Sequence, residues 1–136
     1  MTLRNLLVTA MVVGTGLSAT GTPRAQADDT MVYELRTYTA NPGKLPDLEK
    51  RFRDHTMQIF EKHGIKNIGY WVPTDKPNTL IYIVAHKSRS DAAASWKAFR
   101  ADPEWKHVQA DSEKNGKLVT HVDSVYMTPT DFSPMK

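Results

Sequence analysis

The chain divides by its hydrophobic pattern into short β-like runs and two helical stretches. Met31 to Thr39 (MVYELRTYT) is rich in β-branched and aromatic residues and predicts a strand, closed by the turn residues Asn41-Pro42-Gly43. From Lys44 to His63, Leu45, Leu48, Phe52, Ile59 and Phe60 recur at helical spacing, and Gly64 stops the helix. Ile68 to Val72 predicts a second strand ending at Pro73, and Asp75-Lys76-Pro77-Asn78 a turn. Thr79 to His86 predicts a third strand, whose unbroken LIYIVA run reads as a central strand buried on both faces. Ser88-x-x-Asp91 fits a capping box and opens a helix through Ala92, Trp96 and Phe99. Asp102-Pro103-Glu104-Trp105 restarts that helix, with Asp as cap and Pro in the first turn; it runs to about Lys114 before Gly116. Leu118 to Met127 predicts the last strand. The order β-α-β-β-α-β, with its second helix in two pieces, is the ferredoxin-like split arrangement within the α+β class.

The residues before this domain follow a different pattern. Arg4 is followed by an apolar stretch from Leu6 to about Leu17, and a polar tail ends in Ala25-Gln26-Ala27. Basic start, short apolar segment and A-x-A site together predict a cleaved signal peptide over residues 1–27. The apolar stretch falls short of the roughly 20 residues that span a bilayer, so no stable membrane anchor is expected. Without the 27 residues, 109 of the 136 remain, enough for one domain over 28–136. The leader carries two of the 18 basic residues and none of the 15 acidic ones, so the net charge falls from +3 to +1. That near-neutral balance argues against nucleic acid as a partner. The chain has no cysteine, which excludes disulfides, a lipoprotein anchor and thiol catalysis. The expected location is periplasmic or secreted.

In this fold both crossover helices cover one face of the sheet. The opposite face stays apolar and open, and a four-stranded sheet of that kind tends to pair with a second copy of itself. A homodimer with its sheets face to face is therefore the expected assembly.

Tyr33-Glu34-Leu35-Arg36-x-Tyr38, followed by Pro42-Gly43-Lys44, resembles the opening of NIPSNAP-family domains. The similarity continues through Glu61-Lys62-His63-Gly64, Gly69-Tyr70-Trp71 and Asp102-Pro103-Glu104-Trp105, in order along nearly all of the mature chain. The resemblance implies a dimeric α+β barrel. That group includes small-molecule monooxygenases, haem-degrading enzymes and isomerases, beside many members of no known activity.

Six residues are the candidate ligand-binding set: Glu34, Arg36, Tyr38, His55, Trp71 and His86. The stripe Leu48, Phe52, His55, Ile59 places an imidazole on a core-facing side, where it serves proton transfer or is satisfied by a backbone carbonyl. Glu34, Arg36 and Tyr38 alternate onto one face of the first strand. The charged pair either clamps a polar ligand group, fixes the register of a dimer, or lies at the sheet's rim. Tyr70 and Trp71 point to opposite faces, so one of the two can line a given cavity, and His86 is expected at a pocket mouth or in solvent. His121 and Asp123 offer two metal ligands with no third nearby in sequence, so no metal site is expected. No G-x-S-x-G elbow or phosphate loop occurs, and no cofactor is expected. These readings leave two functions open. One is a small-molecule pocket between sheet and helices, binding or catalytic in the manner of a cofactor-independent monooxygenase or isomerase. The other is a non-catalytic interaction module.

Overall fold

The computed structural model describes residues 31–136; the expected signal peptide lies outside the described residues. Four strands, β1 (Val32–Ala40), β2 (Lys66–Trp71), β3 (Thr79–His86) and β4 (Val119–Met127), form one antiparallel sheet in the order β2-β3-β1-β4. The first crossover is a continuous helical run: α1 (Leu45–Arg51), a π-helical stretch (Phe52–Thr56) and α2 (Met57–Lys62). The second is α3 (Arg89–Ala101) followed by α4 (Pro103–Ser112). This is the ferredoxin-like β-α-β-β-α-β arrangement, with β1 and β3 in the middle of the sheet.

Local chemistry sets the element ends. Ser88 Oγ accepts from the Asp91 N–H at 3.1 Å and caps α3. Asp102 Oδ1 accepts from the Glu104 N–H at 2.8 Å and caps α4, with Pro103 in the first turn. The same Asp102 carboxylate holds Lys62 Nζ at 2.9 Å and His63 Nε2 at 2.6 Å, tying the end of the first crossover to the joint of the second. Hydrogen bonds from Lys62 and His63 hold the Asp102 carboxyl well below the usual range. Gly64 turns the chain out of α2 at φ +74°, in the left-handed region that glycine enters without a Cβ clash.

Side chains of one parity on each strand face the helices and the other parity does not. The helix side carries the core: Leu48, Phe52, Ile59, Phe60, Ile65, Leu80, Tyr82, Val84, Trp96, Phe99 and Leu118 are all buried. Its aromatic rings meet edge to face or tilted, Phe60 against Trp96 at 5.3 Å and against Phe99 at 5.0 Å between centroids. Such pairs add about 0.5–1.5 kcal/mol each beyond area burial. The opposite face pairs Leu35 with Ile83 and Val125, and Trp71 with Ile81, and stays partly open. Trp71 is 53% exposed and Val125 54% exposed there. The Trp71 indole lies across Gly69, where a Cβ would come within 2.5 Å of the ring.

The π-helical stretch corrects one expectation. An unbroken α-helix places His55 in the stripe of Leu48, Phe52 and Ile59. In the structure the Met57 N–H bonds to the Phe52 carbonyl, five residues back, so this turn holds one residue more than an α-turn. The inserted residue rotates the stripe, turning Thr56 into the core and His55 out to solvent. Thr56 Oγ1 then donates to the Arg51 carbonyl at 3.2 Å.

Thr56→Val keeps the volume but deletes this buried hydrogen bond, so it is expected to cost about 1 kcal/mol in chemical denaturation. Phe60→Ala, at the crossing of the aromatic pairs, is expected to cost about 3–5 kcal/mol. An equal or larger loss for Thr56→Val would give the π-turn a greater weight than its hydrogen bond accounts for.

Candidate functional site

Alternation along β1 sends Glu34, Arg36 and Tyr38 to the helix side, beneath α3 and beside β4. The Glu34 carboxylate is fully buried and meets a donor from each surrounding element. Oε1 accepts from Arg36 Nη1 at 2.7 Å and Ser124 Oγ at 2.6 Å; Oε2 accepts from Trp96 Nε1 at 2.6 Å and His86 Nε2 at 2.9 Å. Burial alone pushes this carboxyl up. The bonds from His86, Ser124, Trp96 and Arg36 outweigh that effect and bring it down to about 2. A carboxylate so occupied anchors its donors and has no lone pair directed at solvent.

Arg36 is the charged donor of this network that reaches an opening, beside Trp96. Its Nη1 is bound to Glu34, its Cζ stacks 4.4 Å from the Trp96 ring centroid, and Nη2 makes a long 3.5 Å contact to the Tyr38 hydroxyl. Its Nε–H has no acceptor among the described residues. Arg36, Tyr38, Trp96, Arg100, Trp105 and Gln109 line a cleft of about 350 Å³. A second cleft of about 310 Å³ shares Tyr38, Trp105 and Gln109 with it and adds Arg51, Glu113, Lys117 and Val122. The two form one trough between α3–α4 and the β1–β4 side of the sheet. It exists because α3 rests on β3 and α4 on α1, while β4 is one of the two edge strands and Val122 and Ser124 on its helix side stay exposed.

Arg51 walls the far end of the trough. It precedes the π-helical stretch, is only 5% exposed, and lies 5.0 Å from the Trp105 ring centroid. Its Nη1 reaches Ser112 Oγ and Glu113 Oε1, both at 3.3 Å, and its Nε–H has no acceptor among the described residues. Burial lowers its pKa, with the Glu113 carboxylate only partly offsetting that effect.

The structure thus brings Glu34, Arg36 and Tyr38 together, and it sets aside the dimer-register explanation of the charged pair, which lies on the helix-covered face. His86 joins them, though not at a pocket mouth or in solvent: it is 2% exposed, drawn in by the Glu34 carboxylate and packed against Trp96. His55 lies outside the trough, in a neighbouring surface depression with His107 and Asp111 that Arg51 also borders, a consequence of the π-turn. Trp71 lies on the opposite face of the sheet, away from the trough. His121 and Asp123 bond to each other at 3.0 Å and are exposed; no group of three metal-ligating side chains occurs among the described residues.

Sequence reasoning missed Arg51, Trp96, Ser124, Trp105 and Gln109 as site residues. Arg51 stands three positions after buried Leu48, a spacing that marks a core-facing arginine. Trp96 and Trp105 read as core anchors; nothing in the local sequence marks their role as trough walls.

Glu34 makes acid stability measurable. Its folded-state pKa of about 2 lies below the ordinary 4.5, so its contribution is complete above about pH 4.5 and drains as pH falls toward 2. A shift of that size corresponds to about 3 kcal/mol. Glu34→Gln is expected to lower stability at pH 7 by about that amount and to flatten the stability–pH curve in this window, read by denaturation at a series of pH values. A curve as steep as that of the parent protein would assign acid unfolding to other carboxylates.

The NIPSNAP family model matches residues 33–134. A NIPSNAP family protein of unknown function from Agrobacterium tumefaciens is 28% identical, with a TM-score of 0.69 over 80% of this chain and 96% of that one. An uncharacterised NIPSNAP domain protein from Burkholderia xenovorans is 26% identical, with a TM-score of 0.65 over 76% of this chain and 98% of that one. An antibiotic-biosynthesis-monooxygenase-like protein from Nitrosomonas europaea is 15% identical, with a TM-score of 0.56 over 77% of this chain and 95% of that one; this likeness is one of fold alone. No curated protein sequence matches the chain. Family model, strand order and solved relatives agree: the chain belongs to the NIPSNAP family.

Proposed function

We propose that this protein is an exported homodimer that binds a small molecule in the trough between the sheet and α4. The observation that carries the reading is the trough itself. It joins two clefts of about 350 and 310 Å³ around Tyr38, Trp105 and Gln109, within the size range of small-ligand sites. Aromatic walls supply apolar contact, and two buried or half-buried guanidiniums, Arg36 held from behind by Glu34 and Arg51 beside Glu113, supply orientation. Binding is favoured over proton-transfer catalysis because Glu34, behind Arg36, is held ionised with both oxygens engaged, and Glu113, the carboxylate that lines the trough, is paired with Arg51. A base must have a lone pair directed at its substrate.

The dimer rests on the open sheet face, where Trp71 and Val125 present large apolar surface beside Leu35, Ile81 and Ile83. Export rests on the grammar of residues 1–27. The proposed state is a periplasmic or secreted dimer of the mature chain, with no cofactor assigned.

Two experiments test this reading. Native mass spectrometry of the protein recovered from the periplasm of an exporting host is expected to give two copies of a chain beginning at Asp28, and Val125→Asp is expected to give one. Recovery of an uncleaved chain in the cytoplasm, or a monomeric parent protein, would overturn the corresponding half. Thermal-shift screening against a metabolite panel is expected to give hits that raise Tm by a few degrees, because a ligand at about 100 times its Kd adds about 2.7 kcal/mol. Tyr38→Ala and Trp105→Ala are expected to remove the shift, whereas Trp71→Ala and His55→Ala keep it. Hits that survive the first pair and vanish with the second would move the site elsewhere.

A further inference from the structure

The geometry points to a planar organic anion, a carboxylate carried on an aromatic or conjugated ring, as the class of ligand held in this trough. The inference rests on the small-molecule reading above and adds the charge and shape of the occupant.

Charge comes first. Arg36 and Arg100 line one half of the trough, and Arg51 and Lys117 the other. Glu113 is the one carboxylate among the lining residues, and it is spent on Arg51. Glu34 stands behind Arg36 and has no exposed oxygen to offer. Among the described residues these four cations stand against two carboxylates, Glu113 and the buried Glu34, so the trough keeps an excess of positive charge although the mature chain is close to neutral.

The state of the two arginines sharpens this. A guanidinium carries five N–H donors. In Arg36, Nη1 is committed to Glu34; in Arg51, Nη1 makes only 3.3 Å contacts to Ser112 and Glu113. In both, the buried Nε–H has no acceptor among the described residues. Burying such a donor without an acceptor costs free energy, most of all on a charged group. Arg51 is 95% buried by its 5% exposure, and burial lowers its pKa. A carboxylate entering the trough adds negative charge where cations are in excess and offers acceptors to the guanidinium N–H groups that Glu34 and Glu113 leave uncommitted, and arginine's planar fork matches it two oxygens at a time.

Shape comes from the walls. Tyr38 and Trp105 belong to both halves, and Trp96 closes the side behind Arg36. Flat aromatic walls with a cation at each end favour a flat ring with an acidic group over a compact inorganic ion or a flexible aliphatic acid.

The test is calorimetric titration of the purified protein with three probes: 2-naphthoate, its neutral isostere 2-naphthamide, and inorganic phosphate. Naphthoate is expected to bind at least about tenfold more tightly than naphthamide, and phosphate more weakly than either. Arg51→Met is expected to fold, since a long, unbranched apolar side chain replaces a buried charge and Glu113 can turn to water. It should lose about tenfold in naphthoate affinity while naphthamide is unchanged. Arg51→Lys, which keeps the charge without the planar fork, should fall between. Circular dichroism confirms the fold of each variant, and Arg100→Gln repeats the test at an exposed position. Equal affinity for acid and amide, or naphthoate binding indifferent to both substitutions, overturns the anion assignment while leaving a small-molecule site in place. Phosphate binding as tight as naphthoate overturns the aromatic half of the inference. If no probe binds while the metabolite panel yields neutral hits in the trough, the class is wrong and the site right; a blank panel as well removes the site.

Discussion

The structure is organised around one buried charge. Glu34 lies in the middle of a sheet, on a central strand, under a helix, where an ionised carboxylate costs several kcal/mol to desolvate. It is tolerated because β1, β3, β4 and α3 each direct a donor at it, and its two oxygens accept four hydrogen bonds. The consequence is geometric more than energetic. Trp96 fixes the rotation of α3, Ser124 fixes the edge strand against β1, His86 is held inside, and Arg36 is fixed between carboxylate and indole. A hydrophobic replacement could hold the layers together, but it could not present a charged guanidinium at the trough floor in one orientation.

The two arginines that define the trough are held by different means. Arg36 is gripped from behind by Glu34. Arg51 is placed by the helix, because the extra residue between Phe52 and Thr56 resets the core-facing stripe one residue downstream. The stretch upstream of the insertion presents Leu48, Arg51 and Phe52 inward; the stretch downstream presents Thr56, Ile59 and Phe60. Two surfaces must be satisfied by one helical run, the trough beneath α4 and the aromatic core over β3. A uniform 3.6-residue period cannot align both sets, and the π-turn supplies the offset.

Much of this was legible in the sequence where the governing interactions are local. The caps at Ser88 and Asp102, the stop at Gly64 and the strand Thr79–His86 are written in side-chain chemistry within four residues, and the structure agrees at each. Period two placed Glu34, Arg36 and Tyr38 on one face, which the trough uses. What failed was long range or depended on a broken period. His55 was misplaced because a π-insertion has no strong sequence mark. His86 looked like an exposed strand end because its partner, Glu34, stands 52 residues earlier. Trp96 and Trp105 become trough walls only through the angle between two helices joined at Pro103, which local spacing does not encode.

The sheet's two faces set two separate constraints. The helix side must close around Glu34 and still leave β4 uncovered, since a helix over Val122 and Ser124 would fill the trough. The other side keeps Trp71 and Val125 at the surface, each more than half exposed, which an isolated domain in water has little reason to retain. Gly69 is informative on this point. Its missing side chain lets the Trp71 indole lie flat across β2. A flat ring extends the apolar plane of the sheet, whereas an upright ring would break it. A surface arranged in this way suits contact with another sheet more than contact with solvent. Face-to-face pairing would buttress β4 from below while leaving the trough open above. Assembly and ligand binding would then use opposite faces of the same four strands, coupled through the register of β1.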